Sequence, residues 1–442
     1  MAKKLYGNTG DPGSAHRRKR RKKGSGMKKL VIFLALILFV ELAYCTVIFT
    51  DLIPPLSRLR TMYIETAMST MRHQWLAKAL IPGDVVQEVI DRITNAQLSQ
   101  DGVNSGWDDV DQQDPEETKS PSSGFSKDAA AELLNQIAHN LAPTQEELDF
   151  FELFYELDEA STLAFVSSHP EAVENGWENF WVNEAGLDDR GTTMRTKQGD
   201  QVLAIDAANG LLVVRITGVG YKGAMVIGKD PSRLTCRVSK YLGDVGQRAG
   251  DIAKNNNGLV AMTASGFDDG EAIVEGAVIA GGSMAHGVVY GDHYEVKGYK
   301  RVELHTDNRL YIRDAYSAYG RNCTDAAEWK PALIVDGKIV VSAADGFTAV
   351  NPRACLGQTR DESILMLVIE GRSLDSLGTD AAECAQIMAR YGAYQAMNMD
   401  GGTSAILWYQ GEYITKCSNS DLDEGRRLPN AWIYAADPVP DP

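Results

Sequence analysis

The hydrophobic pattern begins with an almost unbroken apolar run from Leu30 to Thr50, which follows a cluster of basic residues. About twenty-one residues at 1.5 Å per residue are enough to cross the roughly 30 Å hydrocarbon core of a bilayer. The run is too long for the apolar h-region of an ordinary signal peptide, and no small-residue cleavage site follows it cleanly. We therefore predict a basic cytoplasmic tail over 1–29 and a transmembrane helix over 30–50. The positive-inside rule then places the rest of the chain outside the cell.

The pattern after the apolar run is helical up to the Pro82-Gly83 pair, with methionines and other apolar residues near helical spacing. This predicts a juxtamembrane helical stalk over 51–94, a candidate contact between copies in a homo-oligomer. Residues 95–126 are polar and rich in Asp, Ser, Gly and Pro, which predicts an acidic disordered linker. A helical subdomain is predicted over 127–199. Its two or three helices should lie at about 127–141, 144–167 and 170–183.

From residue 200 onward, short apolar runs bounded by Gly, Asp and Asn predict strands. Asp336-Gly337 between two such runs predicts a hairpin. One helix interrupts them, with Thr379 as its predicted N-cap, Cys384 on its apolar face and Gly392 at its end. Strands with an inserted helix predict an α+β domain over 200–437, a mixed, largely antiparallel sheet with flanking helices. The predicted strands include 202–205, 211–214, 224–227, 331–335 and 364–369.

Charge is distributed unevenly along the chain. The net charge is −16, yet residues 1–29 hold eleven Lys and Arg against one acid, and the remainder carries 33 basic against 59 acidic side chains. Because phosphate-backbone binding needs a basic surface, the acidic globular part is not expected to bind nucleic acid. A basic pocket for a phosphate group would be a local exception on such a surface.

Cysteine and histidine give no metal-binding pattern. Cys45 lies in the predicted span, the other five cysteines lack the spacing of metal ligands, and the seven histidines are scattered. The acids of 108–117 lack the order of an EF-hand loop. We predict no certain cofactor, and the residues leave open both the disulfide pairing and the participation of a divalent cation.

The segment Asn398-Met399-Asp400-Gly401-Gly402-Thr403-Ser404 carries the clearest chemical signal. Glycines let a ligand approach the backbone closely, and successive free N–H groups in such a turn form a concavity that binds anions. Asp400 adds a carboxylate at the same point. The alternative is an ordinary hairpin turn, because Asp-Gly between apolar runs is a strong turn signal.

This segment resembles the Asn-Leu-Asp-Gly-Gly-Gly-Ser signature of the phosphodiester glycosidase family. Four further boxes resemble the family's in the same order, so the resemblance covers about residues 200–437 and implies its fold. The boxes are Tyr221-Lys222-Gly223-Ala224 with Asp230-Pro231-Ser232-Arg233, Ala264-Ser265-Gly266-Phe267, Asn351-Pro352-Arg353-Ala354-Cys355-Leu356-Gly357-Gln358 and Arg426-Arg427-Leu428-Pro429-Asn430-Ala431.

The resemblance implies hydrolysis of a sugar-1-phosphodiester, whose phosphate leaves as a stabilised anion without protonation. Such a site needs cations and N–H donors for the phosphate, and a carboxylate to activate water or to stabilise charge at the anomeric carbon. Asp400 and Ser404 are the predicted catalytic residues, with Asp400 as acid/base or nucleophile. The predicted substrate-binding residues are Arg353, Arg426, Arg427, Asn398, Gly401, Gly402, Thr403, Phe267 and Asp268.

Three residues depart from the family pattern: Thr263 stands in place of Asn, Thr403 in place of the third glycine, and Cys355 in place of Thr. The sequence therefore predicts a membrane-anchored hydrolase outside the cell that cleaves the glycosidic C–O bond of phosphorylated glycans or exopolysaccharide, in a bacterial surface setting. One alternative is a non-catalytic protein of glycan binding or exopolysaccharide assembly on the same fold. The other is a phosphodiesterase that cleaves P–O.

Overall fold

The structure is a computed structural model. It describes residues 25–69, 74–107, 143–268, 273–286, 298–342, 346–422 and 424–440. Residues 1–24 of the predicted cytoplasmic tail, most of the predicted linker and the predicted helix at about 127–141 lie outside the described residues. The chain forms two compact units, the first ending at Arg60 and the second running from Thr61 to Pro442.

The first unit consists of one long apolar helix and the start of a second. Helix α1 (Ser25–Phe49) includes a stretch, Met27–Phe49, that is long and apolar enough to cross a membrane. Helix α2 (Pro54–Met68) follows after a short turn. Arg60 on α2 donates to the carbonyl oxygen of Ile48 at 2.9 Å and pairs with Asp51 at 2.9 Å. The bond to Ile48 satisfies a carbonyl group that the end of α1 leaves without a helical partner.

The remaining helices are shorter than the sequence pattern predicts. The predicted stalk is divided into α2, α3 and α4, and α4 begins directly after Pro82. Residues 170–183 form two 3₁₀ turns and a strand instead of a helix. The helices of the second unit after α2 are α3 (Gln74–Leu80), α4 (Gly83–Leu98), α5 (Gln145–Leu153), α6 (Glu159–Ser168), α7 (Ala249–Asn255) and α8 (Ala381–Arg390).

Helix α8 begins one residue later than predicted, so Thr379 is not its N-cap. The N-cap is Asp380, whose side chain accepts from the backbone N–H of Glu383 at 2.8 Å. Cys384 is fully buried on the apolar face, as predicted, and Gly392 follows the helix with a φ of 79°. A carboxylate at this position satisfies a free N–H of the first turn, which Thr379 does not reach.

Residues 99–107, placed in a disordered linker by their composition, are an ordered part of the second unit. The Gln100 side chain donates to the carbonyl oxygen of Ala332 at 3.0 Å, and Asn104 Nδ2 donates to Asp314 at 3.1 Å. Trp107 is buried against Tyr394, with ring centroids 4.9 Å apart. Polar residues here find partners far along the chain, which composition does not reveal. The linker prediction is therefore wrong over 95–107, since 95–98 end helix α4.

All strand pairings among the described residues are antiparallel. The strands are β1 (Trp181–Asn183), β2 (Gln201–Asp206), β3 (Leu211–Gly218), β4 (Tyr221–Gly228), β5 (Leu234–Val238), β6 (Gly258–Thr263), β7 (Phe267–Asp268), β8 (Ile273–Val274), β9 (Val278–Ala280), β10 (Ser283–His286), β11 (Lys300–His305), β12 (Leu310–Asp314), β13 (Cys323–Trp329), β14 (Ala332–Val335), β15 (Lys338–Ile339), β16 (Arg353–Thr359), β17 (Ile364–Ile369), β18 (Ala393–Met399), β19 (Leu407–Tyr409), β20 (Glu412–Tyr413) and β21 (Asn430–Ala435).

These strands form three large sheets and one two-stranded pair. The nine-stranded sheet has the order β1-β2-β3-β4-β17-β16-β18-β14-β15, and the two five-stranded sheets have the orders β10-β9-β13-β11-β12 and β20-β19-β6-β21-β5. The α+β class with antiparallel sheets and flanking helices is thus confirmed. The five predicted apolar runs are strands β2, β3, β4, β14 and β17, and the Asp336-Gly337 hairpin joins β14 to β15 with positive φ at both residues.

Both faces of the nine-stranded sheet are buried along its inner strands, whereas the edge strands β1 and β15 are largely exposed. Alternate residues such as Val214 and Leu365 pack with helices α5, α6 and α8 on one face. Their neighbours, such as Val213 and Met366, pack on the other face against β6, β11 and β21. This explains why the strands are continuous apolar runs without polar alternation. Helix α7 covers the outer side of β6 and β21.

Candidate active site

The Asp400 segment lies where the nine-stranded sheet and the β6-containing sheet meet. Strand β18 ends at Met399 in the first sheet, and β19 begins at Leu407 in the second, so the segment crosses between sheets. The hairpin alternative is therefore wrong. The backbone N–H of Asp400 donates to the carbonyl oxygen of Ala264 at 3.0 Å, and that of Gly402 donates to Pro352 at 3.0 Å. Three of the family boxes thus meet at this loop.

Both glycines are needed for the path of this loop, Gly401 because of close packing and Gly402 because of its backbone conformation. A Cβ at Gly401 would lie 2.6 Å from the carbonyl oxygen of Pro352. Gly402 has a φ of 60°, in the left-handed region that favours glycine, and a short 3₁₀ turn over Gly402–Ser404 follows. A side chain at Gly401 would therefore push the loop away from the start of β16, and one at Gly402 would strain the backbone.

The closing box joins the same site from β21. Asn430 is fully buried, accepts from the backbone N–H of Ser265 at 3.1 Å and donates to the Ser265 hydroxyl at 3.0 Å. Arg426 lies with its guanidinium carbon 4.2 Å from the centre of the Phe267 ring, a cation–π contact. It also donates to the hydroxyl oxygens of Thr403 and Ser404, both at 3.4 Å. Phe267, Thr403, Ser404 and Arg426 are therefore neighbours, as the resemblance implies.

Asp400 is the titratable centre of this cluster. Burial raises its pKa to about 6, while the Ser404 hydroxyl, the charge of Arg426 and the Gly401 N–H act to lower it. A carboxyl group with a pKa near neutrality exchanges protons readily at physiological pH, which general acid–base catalysis needs. Glu275 lies close enough to Asp400 for its negative charge to raise the pKa of Asp400 further.

Arg372 is a second cation of the site that the sequence patterns do not single out. The Cβ position of Gly402 lies 3.2 Å from Arg372 Nη2, and burial lowers the pKa of Arg372 while the charge of Asp400 raises it. Its backbone has a φ of 61°, uncommon for a residue other than glycine. It follows β17, so the position of a Gly-Arg pair after a buried strand is the one available sequence signal.

Glu275, Tyr299 and Lys330 form a further polar group beside Asp400 that sequence patterns also miss. The Tyr299 hydroxyl donates to Glu275 at 3.3 Å, and Lys330 Nζ lies 3.9 Å from the centre of the Tyr299 ring. Burial lowers the pKa of Lys330, and the charge of Glu275 acts to raise it. The site thus contains a second carboxylate and a third cation.

The other predicted residues occupy different places. Arg353 donates to the backbone carbonyl oxygens of Thr379 at 3.2 Å and Ala349 at 2.6 Å. Arg427 is exposed, whereas its neighbour Arg426 is half-buried in the site. The structure therefore brings Arg426 to Asp400 and turns Arg353 toward main-chain acceptors, and the predicted roles of Arg353 and Arg427 in substrate binding stay predictions.

Asn398 is buried, as are Thr263 and Cys355, two of the three departures from the family pattern. Asn398 is buried and donates to the carbonyl oxygen of Lys330 at 2.8 Å, while its Oδ1 finds no partner among the described residues. Thr263 Oγ1 is likewise buried without a partner in the described part of the chain. Cys355 is fully buried in the core with Cys384, so this departure changes packing. The Asp268 side chain lies outside the described residues.

One group of side chains in the described residues has the composition of a metal site. Ligand atoms of Glu303, His305 and Cys323 lie within 4.8 Å of one another. Arg301 already pairs with Glu303 at 2.7 Å and Arg313 lies 3.4 Å from it, so two positive charges balance the carboxylate. Burial also raises the pKa of the Cys323 thiol, which favours its neutral form. We interpret this group as a buried charge network, because a metal ion would face both guanidinium groups.

Comparison with known proteins supports the family resemblance. Residues 250–435 match the family model described as phosphodiester glycosidase, which confirms the resemblance over that part of the chain. A curated relative, the SPbeta prophage-derived uncharacterized protein YomE of Bacillus subtilis (strain 168), is 28% identical over 183 residues. That alignment covers 38% of this chain and only 27% of the relative.

Two solved structures align with about half of this chain. The zebrafish N-acetylglucosamine-1-phosphodiester alpha-N-acetylglucosaminidase catalytic domain, auto-inhibited by its pro-peptide, aligns with a TM-score of 0.43 and 15% identity, over 51% of this chain and 82% of that one. A hypothetical protein from Synechocystis aligns with a TM-score of 0.39 and 14% identity, over 52% of this chain and 63% of that one.

Proposed function

We propose that the phosphodiester glycosidase domain of this chain hydrolyses the glycosidic C–O bond of a sugar-1-phosphodiester. The observation that carries the proposal is the position of Asp400, whose pKa burial raises to about 6, close enough to Arg426 and Arg372 for the charges to act on one another. Carboxylates serve proton transfer and stabilise positive charge at an anomeric carbon, and arginines bind phosphate oxygens in pairs. The carboxylate suits the sugar half of the substrate, and the neighbouring arginines suit its phosphate half.

The reaction follows from these charges. Above pH 6 Asp400 is mainly ionised and takes a proton from water, whose oxygen bonds to the anomeric carbon as the C–O bond to phosphate breaks. The bonding electron pair leaves with the phosphate, which becomes a monoester dianion, and Asp400 then releases its proton to solvent. Arg426 and Arg372 hold the phosphate oxygens where negative charge increases. The Ser404 hydroxyl, which bonds Asp400, keeps the carboxylate oriented.

The substrate class follows from the anchor and from the site together. Helix α1 is long and apolar enough to hold the chain at a membrane, and the basic residues before it favour a cytoplasmic N-terminus. We infer that the domain lies outside the cell and acts on phosphorylated cell-surface glycans or exopolysaccharide. Protease treatment of whole cells should therefore digest residues 200–437, and full protection of that region would contradict the topology.

Hydrolysis in oxygen-18 water tests both the activity and the bond that breaks. The full chain in detergent should release free sugar from a sugar-1-phosphodiester, with the heavy oxygen in the sugar. Label in the phosphate would replace the proposal by P–O cleavage. Binding of the substrate without any release would favour the non-catalytic alternative. An Asp400→Asn chain, prepared in the same way, is the matched control for contaminating hydrolases.

A further inference from the structure

We propose that the C-terminal half of α2 and the residue that follows it, through Glu65 and Ser69, position the phosphate-binding arginine Arg372. In this arrangement the membrane-proximal helix completes the active site, with Asn351 as the connecting residue. The inference rests on the proposed function for its kinetic consequences, although its structural consequences are independent of turnover.

The first step is the contact between α2 and the segment 346–351. Glu65 is only 1% exposed, and its Oε2 accepts from the backbone N–H and the hydroxyl of Thr348 at 2.7 and 2.6 Å. The Glu65 carboxylate thus takes the place of water as the acceptor for two hydrogen-bond donors of Thr348. Thr66 Oγ1 accepts from the backbone N–H of Val350 at 3.0 Å. Burial raises the pKa of Glu65, and its bonds to Thr348 oppose that shift.

The second step is the orientation of the Asn351 amide. The Ser69 hydroxyl donates its proton to the carbonyl oxygen of Thr66 at 2.9 Å, so its oxygen is free to accept. It accepts from Asn351 Nδ2 at 2.9 Å. Asn351 therefore presents Oδ1 on its other side, where Arg372 Nη2 donates to it at 3.1 Å. A flipped amide would place two donors against the guanidinium group, which is unfavourable.

The third step connects this loop to the reacting centre. Asn351 also exchanges two backbone hydrogen bonds with Thr379, at 3.1 and 3.0 Å, which hold the segment at the start of β16. The next residue, Pro352, accepts from the N–H of Gly402 at 3.0 Å. Both the cation and the glycine loop of the site are therefore held by a segment whose far side is bonded to α2. None of these α2 residues touches Asp400, so they are positioning residues.

The kinetic test compares Glu65→Ala with Glu65→Gln and with Tyr63→Ser, which lies on the exposed side of the same helix. Misplacing a cation that binds phosphate should raise KM for the phosphodiester roughly tenfold, which corresponds to about 1.4 kcal/mol, with kcat changed much less. Gln keeps an oxygen acceptor for Thr348 and should restore KM. An Asn351→Leu chain should show a similar rise. The double variant with Glu65→Ala and Asn351→Leu should show no further rise in KM, since both residues position Arg372 through the same contacts.

The structural test is hydrogen exchange at Gly402, whose amide depends on Pro352. Glu65→Ala should raise its exchange rate several-fold, and Tyr63→Ser should leave it unchanged. Should Glu65→Ala fail to fold, Ser69→Ala at an exposed position carries both tests. Unchanged exchange and unchanged KM in folded variants, or additive effects in the double variant, overturn the inference. A parent chain that cannot hydrolyse the phosphodiester refutes the proposed function alone, because the exchange test needs no turnover.

Discussion

Replacing Asp400 by Asn should abolish turnover and also stabilise the fold at neutral pH. Loss of general acid–base help costs roughly 10²–10⁴ in rate. The stability gain follows from the pKa, which burial raises to about 6 in the folded chain from an ordinary value of 3.8. A carboxyl group whose pKa rises on folding destabilises the fold above the folded pKa and has no effect below the unfolded one. The full shift corresponds to about 3 kcal/mol at pH 7.

The realised gain should be smaller, about 1–2 kcal/mol, because Asp400 keeps some contact with solvent, which screens the cost of its charge. Melting temperatures of the parent and the variant should differ by a few degrees at pH 8, and the difference should vanish as the pH falls from 6 toward 4. Asp421→Asn, at an exposed loop position, is the matched control. A rate within a few-fold of the parent refutes the catalytic role. A lower melting temperature at pH 8 refutes the burial argument.

Three further changes probe the surroundings of this carboxyl group. Arg426→Gln should move the acidic limb of kcat/KM upward from about pH 6, because its charge acts to lower the pKa of Asp400, and a pH–rate profile measures this. Gly401→Ala should lower the melting temperature and kcat together, since the added Cβ would lie 2.6 Å from the carbonyl oxygen of Pro352. Arg353→Lys should raise KM and lower the melting temperature, because an ammonium group lacks the planar fork for phosphate and for two carbonyl oxygens.

Each of these changes has a contradicting result. If the acidic limb of kcat/KM does not move in Arg426→Gln, the charge of Arg426 does not influence the pKa of Asp400. A silent Gly401→Ala would show that the loop yields, and Gly83→Ala, where a Cβ meets nothing within 4 Å, is its matched control. A normal KM with a lowered melting temperature would leave Arg353 with the backbone contacts alone.

Local sequence predicts this fold well where one residue type decides the local geometry. The buried strands are recognisable because both of their faces are apolar, as in β17. The hairpin at Asp336-Gly337 is recognisable because Asp and Gly are residue types that favour the positive φ which both residues adopt. The path of the chain after Asp400 is different, because Asp-Gly-Gly before an apolar run suits a hairpin and a crossover equally. Only the distant partner of β19, which is β6, decides between them.

Distant partners also explain the errors in the N-terminal half of the second unit. Gln100 and Asn104 look like linker residues, yet their partners Ala332 and Asp314 lie more than two hundred residues along the chain. Arg372 was missed for the same reason: its neighbours Asn351 and Gly402 are brought to it by the pairing of β16 with β17 and β18. Composition and spacing describe what a residue is able to bind, and register determines what it meets.

The charges of the site are best understood against the acidity of the whole domain. Beyond residue 29 the chain carries 33 basic against 59 acidic side chains, so its surface repels a polyanionic polymer at long range. Screening limits that repulsion to about 8 Å at physiological salt. The charges of the half-buried Arg426 and of Arg372, which burial partly removes from water, act at contact distance. On the proposed function, we therefore expect binding only where a phosphate reaches these two residues. We expect this balance to bring one phosphodiester to Asp400 and to leave the rest of the polymer unbound.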